Sequence, residues 1–599
     1  MTHIMENIGT SDKPDVITDK GKADFIHHDV EKAFKSMAKI IDKKGNIISP
    51  DPTYLQKQIF KAVEHFLIIG QPLRLLVLKP RQAGSSTALN WIVYWWMRTR
   101  LTRAIWVTDT NATNAYHRNM IQTYAEFDPF PWGNKFELFD RRAVSDNRSV
   151  RYTSSAESKA PGVGGTWTIV GSSETAKFGK QGAAKDASVI MPQLKAGLAD
   201  APETFGVDES TPDGINYFSK LITGDPDASS DGSKEGAVTL DEWKEGKRGN
   251  GMIKVVTGWY DVPEYEMQIQ SQNEYDDIIS SLSMEEKRIM AEQGDKITAE
   301  RIKWRRVTID SKLGGSEEIF QQEFLESEER CFLVSGSPRF DMEGLIYISS
   351  NVRLARPKRK NGRLIEKDGK ITFEECAKAD AEFQVWDEQP GAGKSYLITV
   401  DSMIGKEVSS GTSKQDRNSV LLWRCPYKDK EGVMHPLKLI ARTMPDNQDD
   451  PTPGCVKTAL LSKWAGGCIV VLEINNSGLA WVGPLKEAGV RLWRRRVYDS
   501  VKQQTLRKIG WSTDQKSREV IISALADAVR AKGEGIDIPC PQVSSQLQTF
   551  VRDKTGKPEA SPGNHDDDVI ASALACELQN EGDLYEDKKK AQIVESDYN

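Results

Sequence analysis

The sequence predicts an α/β protein of two sheet-containing domains. Three observations carry this. The chain has 599 residues, too many for one hydrophobic core. Its apolar runs are short, β-rich and bounded by turn residues, and they alternate with stretches of helical spacing. The alternation runs from about residue 50 to 210 and resumes near 395.

The elements follow in chain order. Residues 1–30 are polar, without an apolar core or cleavage pattern, so they read as a disordered tail and not a signal peptide. Residues 31–342 form the first domain, with lid or linker helices towards its end. Its strands are predicted in "LRLLVLKP", "RAIWVTD", "TWTIVGSSE" and "ETFGVDEST", as in a largely parallel sheet. The polar, Gly- and Ser-rich stretch 221–250 reads as a surface insertion, and 284–308 has helical spacing. Residues 343–390, with the basic turn "PKRKNGR", are expected to be a connector. The second domain, 391–580, opens on "SYLITVDS", continues through "CIVVLEINNSG" and the helical "SREVIISALADAVRAK", and closes on "HDDDVIASALACELQ". Residues 581–599 are a charged tail.

Composition narrows the class. Charged residues are 28% and apolar residues 38%, ordinary for a soluble globular chain. No run approaches the roughly 18 apolar residues that span a bilayer. The seven cysteines are scattered, with no pair at metal-ligand spacing, so neither a zinc ribbon nor a disulfide framework is expected, and a reducing cytoplasm fits. A net charge of −6 means that any nucleic-acid contact must come from local basic patches.

Two stretches resemble phosphate-binding loops, which need a strand before and a helix after. "PGAGKSYLITVD" (390–401) contains Gly393-Lys394-Ser395, but an apolar strand follows it, so it reads as a turn. "LLVLKPRQAGSSTALNWIVYWW" (75–96) has the required context, although Ser85 stands where such loops carry Lys. Lys79, at the start of the loop, can reach the same phosphates. Arg81 is a second cation suited to charge on a terminal phosphate. Gly84, Ser85, Ser86 and Thr87 close the loop, with the Ser86 hydroxyl placed for Mg²⁺. Ser173-Glu174 ends a further strand, where Glu174 can orient an attacking water. Ser173 replaces the Asp usual there. "VDESTPDGINYF" (207–218) brings Glu209, Ser210 and Thr211 to the same sheet edge.

The second domain places acids at the ends of apolar elements. Asp401 ends "YLITVD", Glu473 ends "CIVVLE", and Asp566 to Asp568 open the last helix. Singly, each reads as a strand-end charge or helix cap. Together they suit two divalent ions about 4 Å apart, the arrangement that cuts phosphodiesters. Asp416, before "SVLLW", is an accessory candidate. "RLWRRRVYDSVKQQTLRKIGW" (491–511) interleaves seven basic residues with aromatics. Arg494, Arg495 and Arg496 are therefore candidate DNA contacts, against a solvated helix face.

These residues together resemble the large terminase subunit of tailed bacteriophages. "LKPRQAGSST" is similar to its phosphate loop, "GVGGTWTIVGSSETAKF" to its second ATPase motif and "DESTPDGINYF" to its coupling motif. "TGWYDVPEYE" (257–266) and residues 281–341 match further segments. The resemblance covers roughly 50–220, 255–345 and 380–580, and departs at Ser85 and at Gly164, where an Arg is frequent. It implies an N-terminal P-loop (RecA/ASCE-like) ATPase domain and a C-terminal RNase H-like nuclease domain. Arg81 and Glu174 would serve ATP hydrolysis, Ser210 and Thr211 would sense the γ-phosphate, and Gln56 would read adenine, with Gln58 as competitor. Asp401, Glu473, Asp566 and Asp567 would hold Mg²⁺ or Mn²⁺, with Asp401, Glu473 and Asp567 catalytic. The implied partners are double-stranded DNA, a portal, a small terminase subunit and further copies in a ring, in the bacterial cytoplasm. The rivals are an ATP-dependent helicase or repair nuclease, and an inactive prophage remnant that only binds DNA.

Overall fold

The computed structural model describes residues 29–580, except for residues 43, 129–135, 140, 159–163, 180–185, 225–234, 336–337, 356–357, 387–389, 392–393, 403–417, 445–450, 476–477, 500–502, 553–556 and 562–563. The tails expected at 1–30 and 581–599 lie almost wholly outside the described residues, as does the centre of the insertion expected at 221–250. The chain divides into two compact units, with the boundary between Ser335 and Gly336.

The first unit is built on an eight-stranded sheet. Its strands are β1 (Leu73–Leu78), β2 (Arg103–Thr108), β3 (Phe136–Leu138), β4 (Arg142–Ser145), β5 (Val150–Ser155), β6 (Ile169–Ser173), β7 (Phe205–Ser210) and β8 (Ile253–Val256). The order across the sheet is β8-β1-β7-β6-β2-β5-β4-β3. From β8 to β5 all neighbours are parallel, and β4 and β3 add antiparallel pairs at one edge. The central strands are buried along nearly their whole length, as parallel strands covered on both faces must be. The step from β1 to β2 passes over β6 and β7, so the chain reverses its winding beside β1. Ligands of open α/β sheets lie at such a switch point, outside the carboxyl ends of the strands.

Helices α1 (Tyr54–Ile68), α2 (Ser85–Thr99) and α3 (Asn111–Glu126) cover the sheet. Trp91, Trp95 and Trp106 are fully buried in this core. Gly171 in β6 is required there: a Cβ would lie 2.1 Å from the Trp106 ring. After β8 the chain forms a helical subdomain that includes α4 (Ala299–Lys312), in the region where helical spacing was expected. Its separate core stacks Tyr265 on Trp304, with ring centroids 4.4 Å apart.

The second unit holds a mixed sheet of β9 (Lys360–Lys367), β10 (Lys370–Glu375), β11 (Phe383–Val385), β12 (Tyr396–Asp401), β13 (Ser419–Arg424), β14 (Leu437–Thr443) and β15 (Ile469–Leu472), with β18 (Ile536–Asp537) beside β14. The order is β10-β9-β11-β14-β13-β12-β15. β12 to β14 form an antiparallel meander, and β15 joins β12 in parallel. A separate antiparallel ribbon consists of β16 (Arg494–Asp499) and β17 (Gln504–Ile509). Helices α5 (Met342–Ala355), α6 (Gln515–Arg530) and α7 (Asp567–Leu578) complete the unit. This order, an antiparallel meander with a parallel fourth strand, is the RNase H-like plan expected from the sequence.

One boundary is corrected. Residues 343–390 are not a connector. α5 places Leu345 and Ile348 in the second core, and β9 to β11 extend its sheet. Basic residues disguised β9: "KNGRLIEK" mixes exposed and buried positions one strand in from the sheet edge, which β10 forms, a pattern that apolar runs alone do not reveal.

Candidate functional site

In the first unit the residues between β1 and α2 form the loop. Gly84 adopts φ +83° and opens α2 without a side-chain cap. The first-turn N–H groups of α2 therefore have no capping side chain, which is the usual character of an anion-binding helix end. Ser85, Ser86 and Thr87 form that turn.

Lys79 leaves the end of β1 and is 7% exposed. Its Nζ lies 2.7 Å from Glu174 Oε1. Burial alone would lower its pKa, but the Glu174 and Glu209 carboxylates outweigh burial and raise it above the ordinary lysine range. Glu174 shows the reciprocal effect. Burial pushes its carboxyl up, but Lys79 and then Lys177 hold it down to about 2. Lys177 Nζ lies 3.0 Å from Glu174 Oε2, and Thr211 Oγ1 donates to the same oxygen at 3.1 Å. Glu174 sits in the left-handed region, at φ 57°, a conformation costing a non-glycine residue roughly 1–2 kcal/mol. Its three partners offset that cost.

The neighbouring strands share register. Ser173 of β6 pairs with Glu209 of β7, and Glu209 pairs in turn with Val77 of β1. Ser86 Oγ and Ser173 Oγ each donate to Glu209 Oε1 at 2.7 Å. Ser210 Oγ accepts from the Ala176 N–H at 3.2 Å. Lys79, Ser86, Ser173, Glu174, Glu209 and Thr211 therefore converge at the carboxyl ends of β1, β6 and β7.

The side chains of Gln56 and Arg81 have protein partners here. Gln56 Nε2 donates to the Gly84 carbonyl at 2.9 Å, and its Oε1 accepts from the Thr53 N–H at 2.9 Å. The capping box of α1 thus clamps the loop, and Gln56 is 4% exposed. Arg81 Nη1 lies 3.2 Å from Glu323 Oε2, and the Tyr265 hydroxyl donates to the Arg81 carbonyl. A cleft of about 260 Å³ borders Gln82 to Gly84, Tyr54 and Tyr265. Gly164 is described, with φ +92° and open space around it.

Of the second loop-like stretch, Gly393 lies outside the described residues. Lys394 Nζ lies 4.8 Å from the centroid of the Tyr427 ring, and β12, not a helix, follows.

In the second unit Asp401 ends β12, and the Glu473 N–H donates to the Val400 carbonyl at 2.9 Å. The two carboxylates thus leave adjacent parallel strands. Asp401 is 4% exposed and Glu473 9%. Burial first, then Glu473, Asp567 and Asp566, push the Asp401 carboxyl well above the usual range. Asp401 Oδ1 is buried with no hydrogen-bond partner among the described residues.

The three consecutive aspartates have separate fates. Asp568 is structural: Ser419 Oγ and Gln546 Nε2 donate to it, and Arg442 Nη1 lies 3.3 Å away. Asp566 occupies the N-cap position without capping and pairs with Arg518 Nη2 at 2.8 Å. Asp567 is buried, with His565 Nδ1 3.8 Å from its Oδ2. Asp416 lies outside the described residues. Among the described residues, no group of three or more His, Cys, Asp or Glu side chains is arranged to hold a metal ion.

Arg494, Arg495 and Arg496 lie on β16, not on a helix face. Arg494 and Arg496 are exposed, and Arg495 is half-buried. Across the ribbon Arg495 faces Lys508, and Arg496 faces Arg507.

No family model matches the chain, and no curated protein matches it. Solved structures do. The HK97 bacteriophage large terminase aligns over 92% of this chain and 99% of its own, at 11% identity and TM-score 0.42. The chain is similar to bacteriophage large terminases over most of its length. The large terminase of the thermophilic bacteriophage D6E in complex with ADP aligns over 88% of this chain and 98% of its own, at 10% identity and TM-score 0.27. The large terminase nuclease from thermophilic phage G20c with bound cobalt covers 33% of this chain and 87% of its own, at 17% identity and TM-score 0.24. At such identities the likeness to terminases assigns no residue a role, and roles rest on the geometry above.

Sequence reasoning missed Lys177, Arg518 and the use of Glu209. Lys177 lies three residues after Glu174, a spacing that signals a local ion pair. Glu209 could have been found by aligning β6 with β7 in parallel register.

Proposed function

We propose that this chain is a large-terminase-type DNA-packaging enzyme. Its first unit hydrolyses ATP to move double-stranded DNA into a procapsid, and its second cuts concatemeric DNA. In this reading it works as a ring of copies on a portal, with a small terminase subunit, in the bacterial cytoplasm. The observation that carries the reading is the pairing of Lys79 with Glu174 at the mouth of an uncapped helix. A buried cation and a buried carboxylate neutralise one another where phosphates would enter.

On ATP binding, Lys79 turns from Glu174 to the phosphates, and α2 presents its first-turn N–H groups to them. Glu174, relieved of Lys79, orients the attacking water. Thr211 already touches Glu174 and so couples its position to β7. Gln56 holds Gly84 and fixes the loop. Mg²⁺ bound with ATP would neutralise phosphate charge, and the buried, unpartnered Glu209 Oε2 together with Ser86 Oγ fits such an ion.

In the second unit Asp401, Glu473, Asp566 and Asp567 supply the hard oxygen donors that divalent ions take, and the unpartnered Asp401 Oδ1 fits that use. Two such ions would activate water and stabilise the leaving oxygen. Burial and the neighbouring Glu473 disfavour the charged form of Asp401, and a bound cation would favour it. Arg494 to Arg496 contact the DNA backbone.

The test is DNA-stimulated ATP turnover by the full chain and by Lys79→Ala and Lys394→Ala. Turnover should fall at least about a hundredfold in Lys79→Ala, the scale of losing an oriented transition-state charge, and stay near wild type in Lys394→Ala. Loss only in Lys394→Ala would overturn the placement of the ATP site.

A further inference from the structure

We infer that Glu209, on β7, is the carboxylate that meets the nucleotide's divalent cation, taking the place that Ser173 leaves without an acid on β6. This rests on the nucleotide reading of the first unit.

Ser173 and Glu209 are register partners in a parallel ladder. An acid missing from one strand end can therefore be replaced from the next, one strand spacing away. The replacement touches the loop: Ser86 Oγ, the hydroxyl placed for the cation, donates to Glu209 Oε1 at 2.7 Å. Ser173 Oγ donates to the same oxygen, so the serine now orients the carboxylate. The other oxygen, Oε2, is buried and has no hydrogen-bond partner among the described residues.

The preceding residue shows what a merely structural acid looks like here. Asp208 is equally buried, but both of its oxygens are engaged. Ser172 Oγ donates to Oδ1 at 2.8 Å, and Lys195 Nζ lies 2.5 Å from Oδ2. Burying a carboxylate oxygen without a partner is costly. Asp208 avoids that cost, and Glu209 bears it at the one place where a cation would remove it. The donor set of one carboxylate and one hydroxyl, with phosphate oxygens to come, is that of a hard ion such as Mg²⁺.

The test reads nucleotide affinity, not turnover. A fluorescent ATP analogue is titrated into the full chain with Mg²⁺ and with EDTA. Wild type should bind more tightly with Mg²⁺. Glu209→Gln should keep the EDTA affinity and lose at least about tenfold of the Mg²⁺ gain, the scale of losing a group that supports a metal. A double variant, Ser173→Asp with Glu209→Ser, should recover a Mg²⁺ gain by returning the acid to β6, and it keeps the test decisive if Glu209→Gln folds poorly. A full Mg²⁺ gain in Glu209→Gln, or none recovered in a folded double variant, would overturn the inference alone. Absence of nucleotide binding by wild type in both conditions would overturn the nucleotide reading and this inference with it.

Discussion

At the scale of single residues, the first unit is organised by charges that balance one another at the sheet edge. Glu174 is the clearest case, because Lys79 and Lys177 hold its carboxyl down to about 2 from an ordinary 4.5. A depressed folded-state pKa stabilises the fold above the unfolded value, and that contribution is lost as pH falls. Folding stability should therefore decline between about pH 4.5 and 2, and Glu174→Gln should remove part of the decline. Chemical denaturation across that range, wild type against variant, measures it; equal slopes would show that the pair contributes nothing. The residues of this site were legible in different degrees. Lys79, Ser86 and Glu174 could be read because each is fixed by its place after a strand or before a helix. The contact of Gln56 with the loop was not legible, since only the fold brings its amide to the Gly84 carbonyl. Glu209 was seen at the sheet edge but given no role, because its importance depends on which strand lies beside it.

At the scale of elements, the β16–β17 ribbon is unusual in setting cation against cation. Arg495 faces Lys508 and Arg496 faces Arg507, and like charges directly opposite destabilise a ribbon. An anionic partner such as a phosphate backbone would remove that repulsion. Replacing Arg494, Arg495 and Arg496 by Gln should weaken binding to duplex DNA of any sequence. The salt dependence should flatten by about 0.9 in log–log slope for each phosphate that the variant no longer neutralises. A filter-binding series over salt concentration measures this, and an unchanged slope would exclude the ribbon from the DNA interface. The sequence showed the basic residues but not their strand. Trp493 and Trp511, which flank the ribbon, are stacked with ring centroids 6.1 Å apart, a long-range pairing without local periodicity. The central strands β1, β2, β6, β7, β12, β13 and β15 were easier to read, because covered strands are continuous apolar runs. The strands towards the sheet edges, β3 to β5 and β9 to β11, carry more polar residues and were not read.

At the scale of the whole molecule, the two proposed chemistries belong to two separately built cores. Each lies where acids or cations leave the ends of adjacent parallel strands: β1, β6 and β7 in the first unit, β12 and β15 in the second. Because the active groups belong to different units, their losses should be independent. Asp401→Asn should abolish metal-dependent cleavage of plasmid DNA while leaving ATP turnover within about twofold of wild type, well under 1 kcal/mol. Lys79→Ala should do the reverse. Gel assays of nicking beside phosphate-release assays on the same preparations read both. Concurrent loss of both activities in Asp401→Asn would mean that one chemistry governs the other.

The ladder pairing of Ser173 with Glu209 also bears on how such a site could have arisen. An ancestor with acids at both positions would carry two carboxylates one strand spacing apart, and loss of either would leave an acid at that sheet edge. Drift could then discard the acid of β6 without any generation having lacked an anion there. Lineages descending from that ancestor would differ in which strand kept the charge, and a comparison of their linear strings would read inheritance as loss.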